Sequence, residues 1–88
     1  MPYIKTEDRT KYGIHLQYLA DIIKEIPEEK LAGELNYLLT SILHIATEKA
    51  NYRKFNEIIG VLECCKLEMY RRKISPYEDK KIIENGDV

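Results

Sequence analysis

The residues best suited to chemistry stand together at Tyr70-Arg71-Arg72-Lys73, just ahead of Ser75-Pro76-Tyr77-Glu78. Planar guanidinium groups beside a phenol ring are the grouping that grips phosphate bidentately and stacks on a base. The same cations at the C-terminus of a helix would also oppose its dipole, which explains them without a ligand. Both readings stand at this point. Seven Tyr, one Phe and no Trp tilt the aromatic supply toward rings that carry a hydrogen-bonding tip.

Other constellations give less. Ser41 and His44 are one helical turn apart, but the nearest acid to orient the imidazole is Glu48, on the same helix. Such an array leaves no converging substrate site. His15 and His44 lack partners at metal-ligand spacing. Glu28, Glu29 and Glu34 lack the regular carboxylate spacing that holds magnesium in helical nucleotide pyrophosphatases, and no glycine loop for phosphate is present. The sequence therefore points to no catalytic residue, no metal and no cofactor: a binding protein rather than an enzyme.

Two further features bear on binding. Gly60 falls in the interior of a helical pattern, where it costs roughly 1 kcal/mol relative to Ala. It shares a helix face with Arg53, Asn56, Glu57, Cys64, Leu67 and Arg71, so a second helix crossing there, or a ligand approaching the bare backbone, would account for it. The second helix carries polar lines Asn36-Thr40-Thr47 and Tyr37-Ser41-His44-Glu48. Asn, Thr and Ser are weak helix formers, and a merely solvated face usually favours Lys and Glu. A polar interface or small pocket is the alternative to simple solvation. The candidate ligand set is Tyr37, Asn56, Tyr70, Arg71, Arg72 and Tyr77.

The elements that must position these residues are helical. After a short apolar arm at 1–5, Thr6-Glu7-Asp8 reads as a hydroxyl cap with acids at the positive dipole end. Leu16, Leu19, Ile23 and Ile26 recur at helical spacing, with Gly13 tightening the first turn, so a first helix reaches 26. Pro27 marks a turn, which one further helical turn to Ala32 would prolong. Gly33 separates it from a second helix over 34–49, with Leu35, Leu38, Leu39, Ile42 and Ile45 as its stripe. A third, longest helix covers 52–73 through Phe55, Ile58, Leu62 and Met69. Ser75-Pro76-Tyr77-Glu78 has the form of a capping box with Pro at the first helical position, opening a short fourth helix over 76–84. Asn85-Gly86 supplies its stop. No period-2 alternation of any length appears. The expected fold is all-α: one domain over 1–88, a small bundle of three main helices plus a short C-terminal helix in the tail 75–88. Leu16, Leu19, Ile23, Leu35, Leu39, Ile42, Phe55, Ile58, Leu62 and Met69 are its expected core.

Composition sets limits on this picture. Of 88 residues, 44% are hydrophobic and 33% charged, which excludes a disordered chain. Net charge of −1 provides no global pull toward DNA, RNA or lipid, so any anion site is local. No apolar run suits a membrane span and no leader peptide is apparent. Cys64 and Cys65 are adjacent and cannot bridge each other in ordinary geometry. The expectation is a cytoplasmic protein in a reducing compartment. A chain this short buries only about two-thirds of its unfolded surface, and a long third helix leaves apolar area to cover. Self-association, as a dimer or tetramer, is the expected remedy.

The blocks Met1-Pro2-Tyr3-Ile4, Gly33-Glu34-Leu35-Asn36-Tyr37, Gly60-Val61-Leu62-Glu63-Cys64, Glu68-Met69-Tyr70-Arg71-Arg72, Pro76-Tyr77-Glu78-Asp79-Lys80-Lys81 and Glu84-Asn85-Gly86-Asp87-Val88 cover nearly the whole chain. Through them the sequence resembles a family of small uncharacterised proteins of bacteriophages, prophages and their microbial hosts. The resemblance implies a helical domain and a phage-related setting, and transfers no residue-level chemistry. Small helical oligomers that sequester nucleotide immune signals are one class in that setting, which by analogy suggests a nucleotide-like ligand. The alternative is an interaction or inhibitor module acting through the third helix and the tail.

Overall fold

The computed structural model describes residues 2–88. Its described residues form α-helix and helix variants joined by short turns, with no strand among them. The chain divides into two compact units, Tyr3–Asn51 and a second built on Tyr52–Val88 with Pro2 beside it.

The Tyr3–Asn51 unit starts with α1 (Thr6–Arg9), passes through a 3-10 turn at Thr10–Tyr12, and continues as α2 (Gly13–Lys24). The tightening expected near Gly13 occurs in the three residues before it, where the Gly13 N–H donates to the Thr10 carbonyl. Thr6 is the first helical residue rather than the cap. Lys5 occupies that position in extended conformation and offers no side-chain cap. Glu7 and Asp8 still place their charge at the positive end of the dipole. Pro27 ends the connection after α2, and α3 (Glu28–Ala46) begins directly behind it with Glu28 and Glu29 in its first turn.

Two boundaries of the expected second helix are corrected. Gly33 does not separate anything: α3 runs straight through it. The cost of one helical glycine is about 1 kcal/mol, and the good helix formers Leu31, Ala32, Glu34 and Leu35 around it outweigh that. At the other end α3 stops at Ala46, short of 49. Thr47 leaves helical geometry at φ −113° and ψ 13°, and its hydroxyl donates back to the Leu43 carbonyl at 2.7 Å. A threonine side chain competing for backbone partners favours such an end.

In the second unit α4 (Tyr52–Met69) leads into a π-helical segment (Tyr70–Ile74) and then into α5 (Ser75–Asn85). The expected stop before Pro76 is absent. Ser75 is right-handed helical at φ −58° and ψ −48°, with no side-chain cap, so the capping box does not form. Its N–H instead donates five residues back, to the Tyr70 carbonyl. Proline in a regular α-helix clashes with the carbonyl four residues earlier and donates no hydrogen bond. A wider π turn directly ahead of Pro76 relieves that conflict while keeping the helix continuous. The run ends where expected, at Gly86, whose φ of +90° suits glycine and whose N–H donates to the Ile82 carbonyl at 2.8 Å.

The expected core is also corrected: no described residue is fully buried. Leu19, Ile23, Leu35 and Ile58 are half-buried, whereas Leu16, Leu39, Ile42, Phe55, Leu62 and Met69 are exposed. Helical periodicity fixes which side of a helix is apolar but not what covers it. Taken by itself, the second unit is one helical run without a second helix of its own to pack against.

Gly60 is part of this correction. A Cβ added there would meet nothing within 4 Å, and the unit that holds Gly60 has no second helix of its own to cross at that point. Gly60→Ala is therefore expected to raise the stability of α4 by about 0.5–1 kcal/mol. Thermal unfolding followed by circular dichroism measures it, and a lower melting temperature would show that the bare backbone is needed.

Candidate functional site

The π segment carries the cationic cluster. Tyr70, Arg71, Arg72 and Lys73 occupy four of its five positions, and Tyr77 follows within the first turn of α5. Five expected ligand residues lie in the second unit, and four of them are gathered here: Tyr70, Arg71, Arg72 and Tyr77. Asn56 is not among them. It precedes Tyr70 by fourteen residues, about 21 Å along a helix rising 1.5 Å per residue. Tyr37 belongs to the other unit, on α3.

The cluster is not a bare cationic patch. Arg71 places one terminal nitrogen 2.6 Å from Glu68 Oε1 and its Nε 3.4 Å from Oε2, an i,i+3 pair in which the carboxylate is half-buried. An incoming anion must compete with that carboxylate for Arg71. Farther on, Lys81 lies 5.5 Å from the centre of the Tyr77 ring and 3.1 Å from Glu84. Tyr77 thus presents a ring already polarised by a cation on its own helix. Lys66 and Glu63 make a further pair at 3.1 Å. Glu68 and Lys81 were missed as members of this cluster. Their i,i+3 and i,i+4 spacing from Arg71 and Tyr77 was the available signal.

The polar lines of α3 are only partly gathered into one feature. Asn36, Tyr37, Thr40, Ser41, His44 and Ile45 line an open depression of about 540 Å³ on one helix face. Thr40 donates to the Asn36 side-chain oxygen at 3.2 Å, and Ser41 donates to the Tyr37 carbonyl at 2.8 Å. The Ser41 hydroxyl is directed to backbone four residues back, not toward His44. Tyr37 is 76% exposed, so its ring stands out from this face rather than closing over it. Beside Gly60 a second groove of about 330 Å³ is lined by Pro2, Glu57, Val61, Cys64 and Cys65. Both cysteines are free and exposed. Among the described residues no helix is long and apolar enough to cross a membrane.

The model of a protein family, domain of unknown function DUF6899, matches residues 1–88. The chain belongs to the DUF6899 family. Membership spans every motif block through which the sequence resembled a family of uncharacterised proteins. No curated protein and no solved structure matches the chain.

Proposed function

We propose that this DUF6899 chain is a small non-enzymatic binding protein that works as a homo-oligomer, a dimer or tetramer, its helices completing a bundle between copies. The observation that carries the reading is exposure. Large apolar residues at helical spacing, among them Leu16, Leu39, Phe55, Ile59 and Met69, are exposed, and no described residue is fully buried. An interface between copies removes that surface from water at about 25 cal/mol per Å². Sedimentation velocity on the full chain tests it. The expected particle has two or four times the 10.4 kDa chain mass, and a 10.4 kDa species at tens of micromolar would overturn the proposal.

Within that assembly, two uses of the surface are supported by different observations. Uncovered apolar residues of α4 and α5 support docking of a protein partner, as an interaction or inhibitor module. The run of phenol and guanidinium groups on a π segment supports capture of a nucleotide-like anion at Tyr70, Arg71, Arg72 and Tyr77, held without turnover. π turns inserted in α-helices recur at functional sites. A phage-related setting and a cytoplasmic, reducing compartment belong to the same proposal, the latter supported by two exposed free thiols.

A further inference from the structure

α3 departs from the composition of a solvated helix. From Leu35 to Thr47 the chain carries no Lys, Arg, Asp or Glu, its longest such stretch, although 33% of all residues are charged. Leu31, Leu35 and Leu38 are half-buried on one side of the helix. The opposite side, with Tyr37, Thr40, Ser41 and His44, is where a surface helix ordinarily places its charge. A side without charge that presents an exposed tyrosine has the composition of an interface core.

The polar groups of this side show what covers it. Thr40 and Ser41 already donate within the helix, to the Asn36 side chain and the Tyr37 carbonyl, so covering them strands no donor. The Tyr37 hydroxyl and the His44 ring are left without a hydrogen-bond partner among the described residues. They stand about two turns apart on the centre line of the face, too far to meet each other, and both border the open depression. The phenol is a donor, and a neutral imidazole offers an acceptor nitrogen. Resting on the oligomeric reading above, we infer that a second copy covers this side of α3 in antiparallel orientation, its two-fold axis passing between Thr40 and Ser41. That register brings Tyr37 of each copy to His44 of the other, twice by symmetry, and seats each protruding ring in the other copy's depression. Thr40 and Ser41 fall beside their own counterparts, and neither carries a charge to oppose itself. A parallel pair would set Tyr37 against Tyr37 and His44 against His44, leaving both depressions unfilled.

The experiment uses two full-length chains, one carrying Thr40→Glu and the other Thr40→Lys. Glu and Lys are better helix formers than Thr, so α3 is retained in both. Each chain alone sets two like charges side by side at the axis and is expected to self-associate about tenfold or more weakly than wild type. An equimolar mixture sets Glu beside Lys and should give a mixed oligomer with equal numbers of the two chains in native mass spectrometry. Unfolded chains would not be rescued by mixing. Tyr37→Phe and His44→Phe then test the register: the loss of association in the double variant should be smaller than the sum of the single losses. Additive losses overturn the Tyr37–His44 pairing. Undiminished self-association of either charged chain, or failure of the mixture to pair, overturns the α3 interface while an oligomeric wild type leaves the broader proposal intact. A monomeric wild type overturns both.

Discussion

Diluting the protein a hundredfold should lower its melting temperature by roughly 5–10 °C. An isolated chain in which no described residue is fully buried holds little apolar surface away from water to offset the entropy of ordering its backbone, about 1–2 kcal/mol per residue. On the oligomeric proposal most of the stabilising burial comes from association, and unfolding of a pair of chains becomes a dissociation. For such a reaction a hundredfold change in concentration is worth about 2.7 kcal/mol. In an assembly the size of two chains, each kcal/mol moves the midpoint by about 2–4 °C. Helical circular dichroism recorded from micromolar to hundred-micromolar concentration reads the shift directly. A midpoint that stays constant over that range would mean that the fold is completed within one chain.

Helix type and helical spans were largely legible in the sequence because they depend on local spacing. Pro27 breaks the chain where its ring and missing donor predict, and Gly86 ends α5 with a backbone geometry suited to glycine. Errors arose where a local signal had two physical outcomes. Gly33 lowers helix propensity but does not forbid helix, and strong formers on both sides carry α3 through it. Ser75-Pro76 is compatible with a new helix start and with a continuous helix that widens by one residue. The structure takes the second course, because a π turn satisfies the Ser75 N–H at Tyr70 without a break. Burial was the least legible property. Periodicity placed Leu16, Leu62 and Met69 in the core, yet all three are exposed, because a stripe is covered only by whatever meets it. The candidate site shows the same division. Tyr70, Arg71, Arg72 and Tyr77 are gathered by adjacency along one helical run, while Asn56 lies along α4 and Tyr37 in the other unit.

Arg71 provides the sharpest separation between a ligand site and a helix surface. Its pair with Glu68 is an exposed-side i,i+3 contact, of a kind worth about 0.2–0.5 kcal/mol once solvent screening is allowed for. Arg71→Ala should therefore leave the melting temperature almost unchanged. If the cluster holds a nucleotide-like anion, the same change removes a charge-assisted hydrogen bond worth about 1.5–3 kcal/mol, roughly a ten- to hundredfold loss of affinity. Arg72→Ala is expected to behave alike in binding. Glu68→Gln moves the result in the opposite direction: the carboxylate that competes for the guanidinium is gone, so the anion should bind more tightly than to wild type. Calorimetric titration with a panel of cyclic and linear nucleotides distinguishes these signs. A gain for Glu68→Gln together with a loss for Arg71→Ala identifies an anion site built on the π segment. Wild-type protein that binds no member of the panel removes the anion reading, and leaves α4 and α5 as a surface for docking proteins.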